Sequence, residues 1–100
     1  MIAEYLLIGR ENAKTARELA RLLHCDPRDI SQGVERDRRN GQPICASCDP
    51  EAPGYYLADN AEDIQNYCKS LHKRAGEIYK TRRALLATAE KMAAENPQEA

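Results

Sequence analysis

The stretch ICASC, residues 44–48, admits two readings, and the choice between them decides the fold. As Cys45-x2-Cys48 it is half of a four-ligand zinc site, with Cys68-x3-His72 as the other half, since an i, i+4 pair on a helix can reach one tetrahedral ion. As alternating residues it is a short strand with Ile44 and Ala46 on one face, and Tyr55 and Leu57 repeat that alternation downstream. Between the two segments lies SCDPEAP, rich in turn formers, so residues 44–57 are predicted to form a β-hairpin. Free cysteine is among the most buried residue types, so the hairpin needs no coincidence of ligands. The chain is therefore read as metal-free and without a cofactor, with Cys45 and Cys48 in the hairpin and Cys68 in the core. His24 and His72 are then structural or solvated residues.

Upstream of the hairpin the pattern is helical. Ile2, Tyr5 and Leu6 have helical spacing and Gly9 closes the segment, which predicts a short first helix over residues 2–8. Thr15-Ala-Arg-Glu18 has the form of a capping box, and Ala16, Leu19, Ala20 and Leu23 follow as one narrow apolar face. A third start comes one turn later: Asp26 as N-cap, Pro27 at the first helical position, Asp29 in the first turn. This helix is predicted to run to Gly41, with Ile30 and Val34 inward and Arg28, Ser31, Gln32, Glu35 and Arg39 on the opposite side. Asp37 falls on the inward side and requires a hydrogen-bonding or cationic partner, for which Arg82, Tyr5 and Arg74 are the candidates.

Downstream, Asn60 caps with Asp63, and the helical pattern then continues unbroken to Asn96-Pro97. Ile64, Leu71, Ile78, Leu85 and Met92 recur every seven residues, with Tyr67, Cys68, Ala75 and Ala89 beside them. So small a domain cannot cover a seam of this length, which predicts homodimerisation through Ile78, Leu85, Ala89 and Met92. The opposite face carries Lys69, Lys73, Lys80 and Arg83, read as a solvated face. Three segments result: residues 1–58, a C-terminal helix over 59–95, and a frayed tail at 96–100.

Composition narrows the function. A chain of 100 residues with 42% apolar content and five aromatics, all Tyr, has room for one modest core. It contains no Ser/His/Asp set, glycine-rich phosphate loop or HExxH helix, so catalysis is not expected. No apolar run approaches the ~20 residues that span a bilayer, and the N-terminus lacks the order of a signal peptide, so no membrane partner and a cytoplasmic location are expected. The formal net charge is −1, so any attraction to nucleic acid must be local.

A helix, a capped helix, a tight turn, a second capped helix and a hairpin reading GQPI…GYYLA resemble the winged helix-turn-helix family of DNA-binding domains over roughly residues 1–58. The spacing that carries the resemblance is Leu19, Ala20, Leu23, Cys25, Ile30 and Val34, with Ala20 small enough for a close helix crossing, and the resemblance implies that Cys25 is a buried turn residue in the core. ELARLL…PIC…GYYLA further resembles small prophage-encoded members. The chain departs from the family at His24, where many members have Gly, at Asp37, where a core Leu is usual, and at the acidic wing tip Asp49-Pro50-Glu51.

The resemblance implies a mostly α protein with a small β-hairpin that binds double-stranded DNA as a dimeric transcriptional regulator, with helix 27–41 in the major groove. The residues it would use are Arg28, Ser31, Gln32, Glu35, Arg36 and Arg39. Arg28 and Arg39 would reach phosphate or guanine, Gln32 adenine and Ser31 phosphate, while Glu35 would accept from a cytosine amino group. The same fold can instead serve as a protein-interaction module, for example in a phage replication or regulatory complex, and the acidic wing and near-neutral charge suit that use. The sequence names no small-molecule effector.

Overall fold

The computed structural model describes residues 1–95; the tail expected at 96–100 lies outside the described residues. The chain is mostly α with one small β-hairpin. Two 3-10 turns, Ile2–Tyr5 and Arg10–Asn12, precede helix α1 (Ala16–Leu23) and helix α2 (Pro27–Arg39). Strands β1 (Ile44–Ser47) and β2 (Gly54–Leu57) follow, and then the long helix α3 (Ala61–Glu95). Two α-helices joined by a tight turn are thus followed by a hairpin and a long C-terminal helix. The chain divides into two compact units, Met1–Tyr67 and the part beginning at Cys68.

Within the first unit, α1 starts where Thr15 Oγ1 accepts the Glu18 N–H at 3.1 Å. The Glu18 carboxylate takes the Thr15 hydroxyl rather than the backbone, so half of the expected box forms. The helix ends at His24, whose φ of 54° and ψ of 49° put a residue other than glycine in the left-handed region and turn the chain sharply into α2. At the start of α2 the box is complete: Asp26 accepts the Arg28 N–H, and Asp29 accepts the Asp26 N–H, both at 3.2 Å. The helix stops at Arg39, two residues short of Gly41, because the Asn40 N–H is shared by the carbonyls of Arg36 and Asp37 and the ladder closes there.

Leu19, Ala20, Ile30 and Val34 meet Ala3, Leu6 and Ile44 in one core, with Ile2, Ala16, Leu23, Tyr55 and Leu57 against its edge. β1 and β2 are antiparallel, with Ile44 opposite Leu57 and Ser47 opposite Gly54. At the tip, Ser47 Oγ accepts the Asp49 N–H and the Asp49 carboxylate accepts the Glu51 N–H at 3.0 Å, so Asp49 closes the turn.

Four expectations are corrected here. The helix over residues 2–8 is a 3-10 turn that ends at Tyr5; the chain then extends, because Leu7 O and Gly9 N bond Leu57 while Lys14 exchanges both backbone bonds with Tyr55. The segment from Leu7 to Lys14 thus covers the outer edge of β2. Asp37 is buried, but its partner is the Ala3 N–H, held by Oδ2 at 3.0 Å, rather than Arg82, Tyr5 or Arg74. That approach requires Gly33, since a Cβ there would meet Ile2 Cγ1 at 2.7 Å. Cys25 is exposed because it lies in the turn between α1 and α2, outside the buried stripes of both helices, and Cys68 is exposed on the surface of α3.

α3 begins where Asn60 Oδ1 accepts the Asp63 N–H and the Asp63 carboxylate accepts the Asp59 N–H. Of its residues only Asp63 and Tyr67 are half-buried; every residue from Cys68 to Glu95 is exposed. Among the described residues no helix is long and apolar enough to cross a membrane.

Candidate nucleic-acid interface

α2 turns one side to the core and the other outward. Ile30, Gly33, Val34 and Asp37 are buried, and Arg28, Ser31, Gln32, Glu35, Arg36 and Arg39 are all exposed or border the surface. Five of these six, Ser31, Gln32, Glu35, Arg36 and Arg39, come together with Asn40 around one open groove of about 570 Å³. Arg28 stands apart, in the first turn. Gln32 and Arg36 also border a smaller depression of about 220 Å³, which Met1, Ile2, Asp29 and Asp37 help to line.

The charges on this surface are of two kinds. Arg28, Arg36 and Arg39 enter no ion pair among the described residues, so their guanidinium groups are open to an anionic ligand. Glu35, by contrast, holds Arg38 Nη1 at 2.8 Å. That pair partly neutralises Glu35 and lowers its repulsion toward a phosphate. The N-terminus of α2 is less suited to an anion than its helix dipole implies: Asp26 already accepts the Arg28 N–H, and Asp29 adds a second carboxylate in the same turn. The side chains at this end that could meet an anion are those of Arg28 and Ser31.

Arg38 is the residue that sequence reasoning passed over. It lies one position from the outward face and points back along the domain. Its Nε donates to Ile44 O at 2.9 Å and its Nη2 to Tyr67 Oη at 3.1 Å. The guanidinium carbon lies 5.8 Å from the centre of the Tyr55 ring and 5.3 Å from that of Tyr67. One side chain thus joins α2, β1, β2 and the first turns of α3. Among the four arginines of α2 nothing distinguishes it except its period, one step from the buried stripe of Ile30, Val34 and Asp37.

On the other side of the hairpin Tyr56 is buried beside Cys45, and burial, followed by the neighbouring Cys45, raises its hydroxyl above the ordinary value of 10.0. Arg10 reaches this face through a bond from Nε to Ser47 Oγ at 3.3 Å. Among the described residues no three His, Cys, Asp or Glu side chains are grouped to hold a metal ion.

The residues expected to form the dimer contact lie on the uninterrupted helix α3. Ile78 is 61% exposed, Leu85 65% and Met92 58%, and Ala89 is exposed between them. Tyr79 and Leu86, each one residue further on, broaden the bare apolar strip. The two units also differ in charge. Residues 1–67 carry eight Lys or Arg against twelve Asp or Glu, whereas residues 68–95 carry seven against three.

Comparison of the chain with protein-family models, curated proteins and solved structures gave no match.

Proposed function

We propose that the protein binds duplex DNA through α2 and acts as a dimeric transcriptional regulator, with α3 as the dimer contact. The observation that carries this is the outward face of α2: a capped helix, presented by a tight turn, whose Ser31, Gln32, Arg36 and Arg39 converge on one open groove, with three arginines unpaired among the described residues. Gln32 has the donor and acceptor pair that matches adenine in the major groove, and Arg28, Arg36 and Arg39 supply phosphate or guanine contacts. The acidity of residues 1–67 keeps the affinity modest, and the phosphate contacts of the arginines make it fall with salt.

Fluorescence anisotropy with genomic fragments at low salt tests the proposal. Binding is expected, with Gln32→Ala losing about 1–3 kcal/mol of sequence discrimination and Arg39→Ala weakening all sequences alike. The same acidity is what favours the protein-interaction module. If no fragment binds at low salt, or binding ignores substitutions at Arg28 and Gln32, that module becomes the better account.

A further inference from the structure

We infer that the partner covering the bare seam of α3 is a second copy of this chain lying antiparallel, with Cys68 of one copy level with Met92 of the other; this rests on the dimeric reading above. The seam has two kinds of position. One holds Leu71, Ile78, Leu85 and Met92, all large and exposed. The other, three residues before each of these, holds Cys68, Ala75, Arg82 and Ala89.

In a parallel, in-register pair each position meets its own copy. Large side chains then face large ones, while Ala75 and Ala89 face alanines across voids, and voids in a seam are costly. An antiparallel pair instead sets each large residue against a small or flexible one: Leu71 against Ala89, Ile78 against Arg82, Leu85 against Ala75 and Met92 against Cys68. Three of the four kinds of layer then pair one large residue with one small one, and in the fourth the flexible stem of Arg82 covers Ile78 while its charged end reaches out of the seam.

Charge selects the same orientation. Residues 69–83 carry six Lys or Arg against one Glu, whereas residues 84–95 carry Glu90 and Glu95 against Lys91. Parallel helices lay the two basic stretches side by side and put Arg82 in the same layer as its copy. In the antiparallel register residues 69–76, with Lys69, Lys73 and Arg74 and no acid, lie level with residues 84–91 of the other copy, whose Glu90 and Lys91 cancel, and Glu77 lies level with Arg83. The register also fits the length available, because the layers run from Cys68, the first residue past the Met1–Tyr67 unit, to Met92, the last large apolar residue of the helix. It sets the Cys68 backbones of the two copies about 36 Å apart along the axis of the pair.

The test uses the full chain with Cys25→Ser, Cys48→Ser and Met92→Cys, which leaves exposed thiols only at positions 68 and 92. A short thiol-reactive crosslinker is added, the products are mapped by mass spectrometry, and the mass in solution is measured by light scattering. A dimer mass with links between positions 68 and 92 is expected. A dimer mass with 68–68 and 92–92 links, or with no link between copies, overturns the orientation alone. A monomer mass overturns the dimer and the orientation together. As a second measurement, Ala75→Leu overfills the layer it shares with Leu85 in the antiparallel pair and is expected to weaken association roughly tenfold; tighter association, as a parallel pair would show when the void between two alanines is filled, overturns the proposal.

Discussion

Arg38 sets the geometry of α2 from behind its outward face. Its fork satisfies the carbonyl of Ile44, the hydroxyl of Tyr67 and the carboxylate of Glu35 together, and the stacked Tyr55 and Tyr67 rings keep it in place. Hydrogen bonds made by a charged group are stronger than neutral ones, and losing several at a half-buried site is costly. Arg38→Ala is expected to lower unfolding stability by about 2 kcal/mol in urea denaturation. Arg38→Lys should recover only part of this, because an ammonium has the charge but not the planar fork. Asp37 acts in a similar way from the buried side, through the Ala3 N–H. Asp37→Ala leaves that donor without its acceptor and is expected to cost about 1–3 kcal/mol in the same measurement. Equal stability of the variant and the parent would show that the bond contributes nothing.

At the scale of elements, the hairpin depends on a position that the alternation of Tyr55 and Leu57 does not mark. Gly54 has a φ of +113°, and a Cβ there would collide with the carbonyl of Lys14, the group that accepts the Tyr55 N–H at 2.8 Å. The glycine therefore lets the chain between Leu7 and Lys14 run along β2. Gly54→Ala is expected to destabilise the domain by about 2 kcal/mol, from backbone strain and the displaced bond, with early loss of amide protection at Tyr55 and Leu57 in hydrogen exchange. Protection unchanged at those two amides would count against this role. The acidic wing tip has a local explanation as well. Asp49 is held by its bonds to the turn, so its carboxylate serves the hairpin whatever the wing approaches.

At the scale of the whole molecule, an acidic unit is followed by a basic helix that buries none of its own apolar seam. Ile78 and Leu85 touch no core, so replacing them should leave residues 1–67 folded. Ile78→Glu with Leu85→Glu is expected to convert a dimer to a monomer in light scattering at micromolar concentration, with the urea midpoint of the domain shifted little. A monomer mass for the parent protein would remove the dimer from the proposal.

Much of the architecture was legible in local sequence, because caps and periodicity are decided within a turn or two. Thr15, Asp26 and Asn60 start their helices by bonding backbone groups three residues away or fewer, and the alternation over 44–57 predicted both strands. The outward set on α2, from Ser31 to Arg39, follows from 100° per residue once Ile30 and Val34 are placed inward. Tertiary structure alone decided what depends on distant partners. The first helix gave way after Tyr5 because β2 offers Leu7 and Gly9 better backbone bonds than another helical turn does. Asp37 took a backbone N–H 34 residues away instead of a cation, and Cys25 stayed outside in the turn that follows the left-handed His24. Arg38, one of four arginines in its helix, became the junction of four elements because folding brings Ile44, Tyr55 and Tyr67 within reach of one guanidinium.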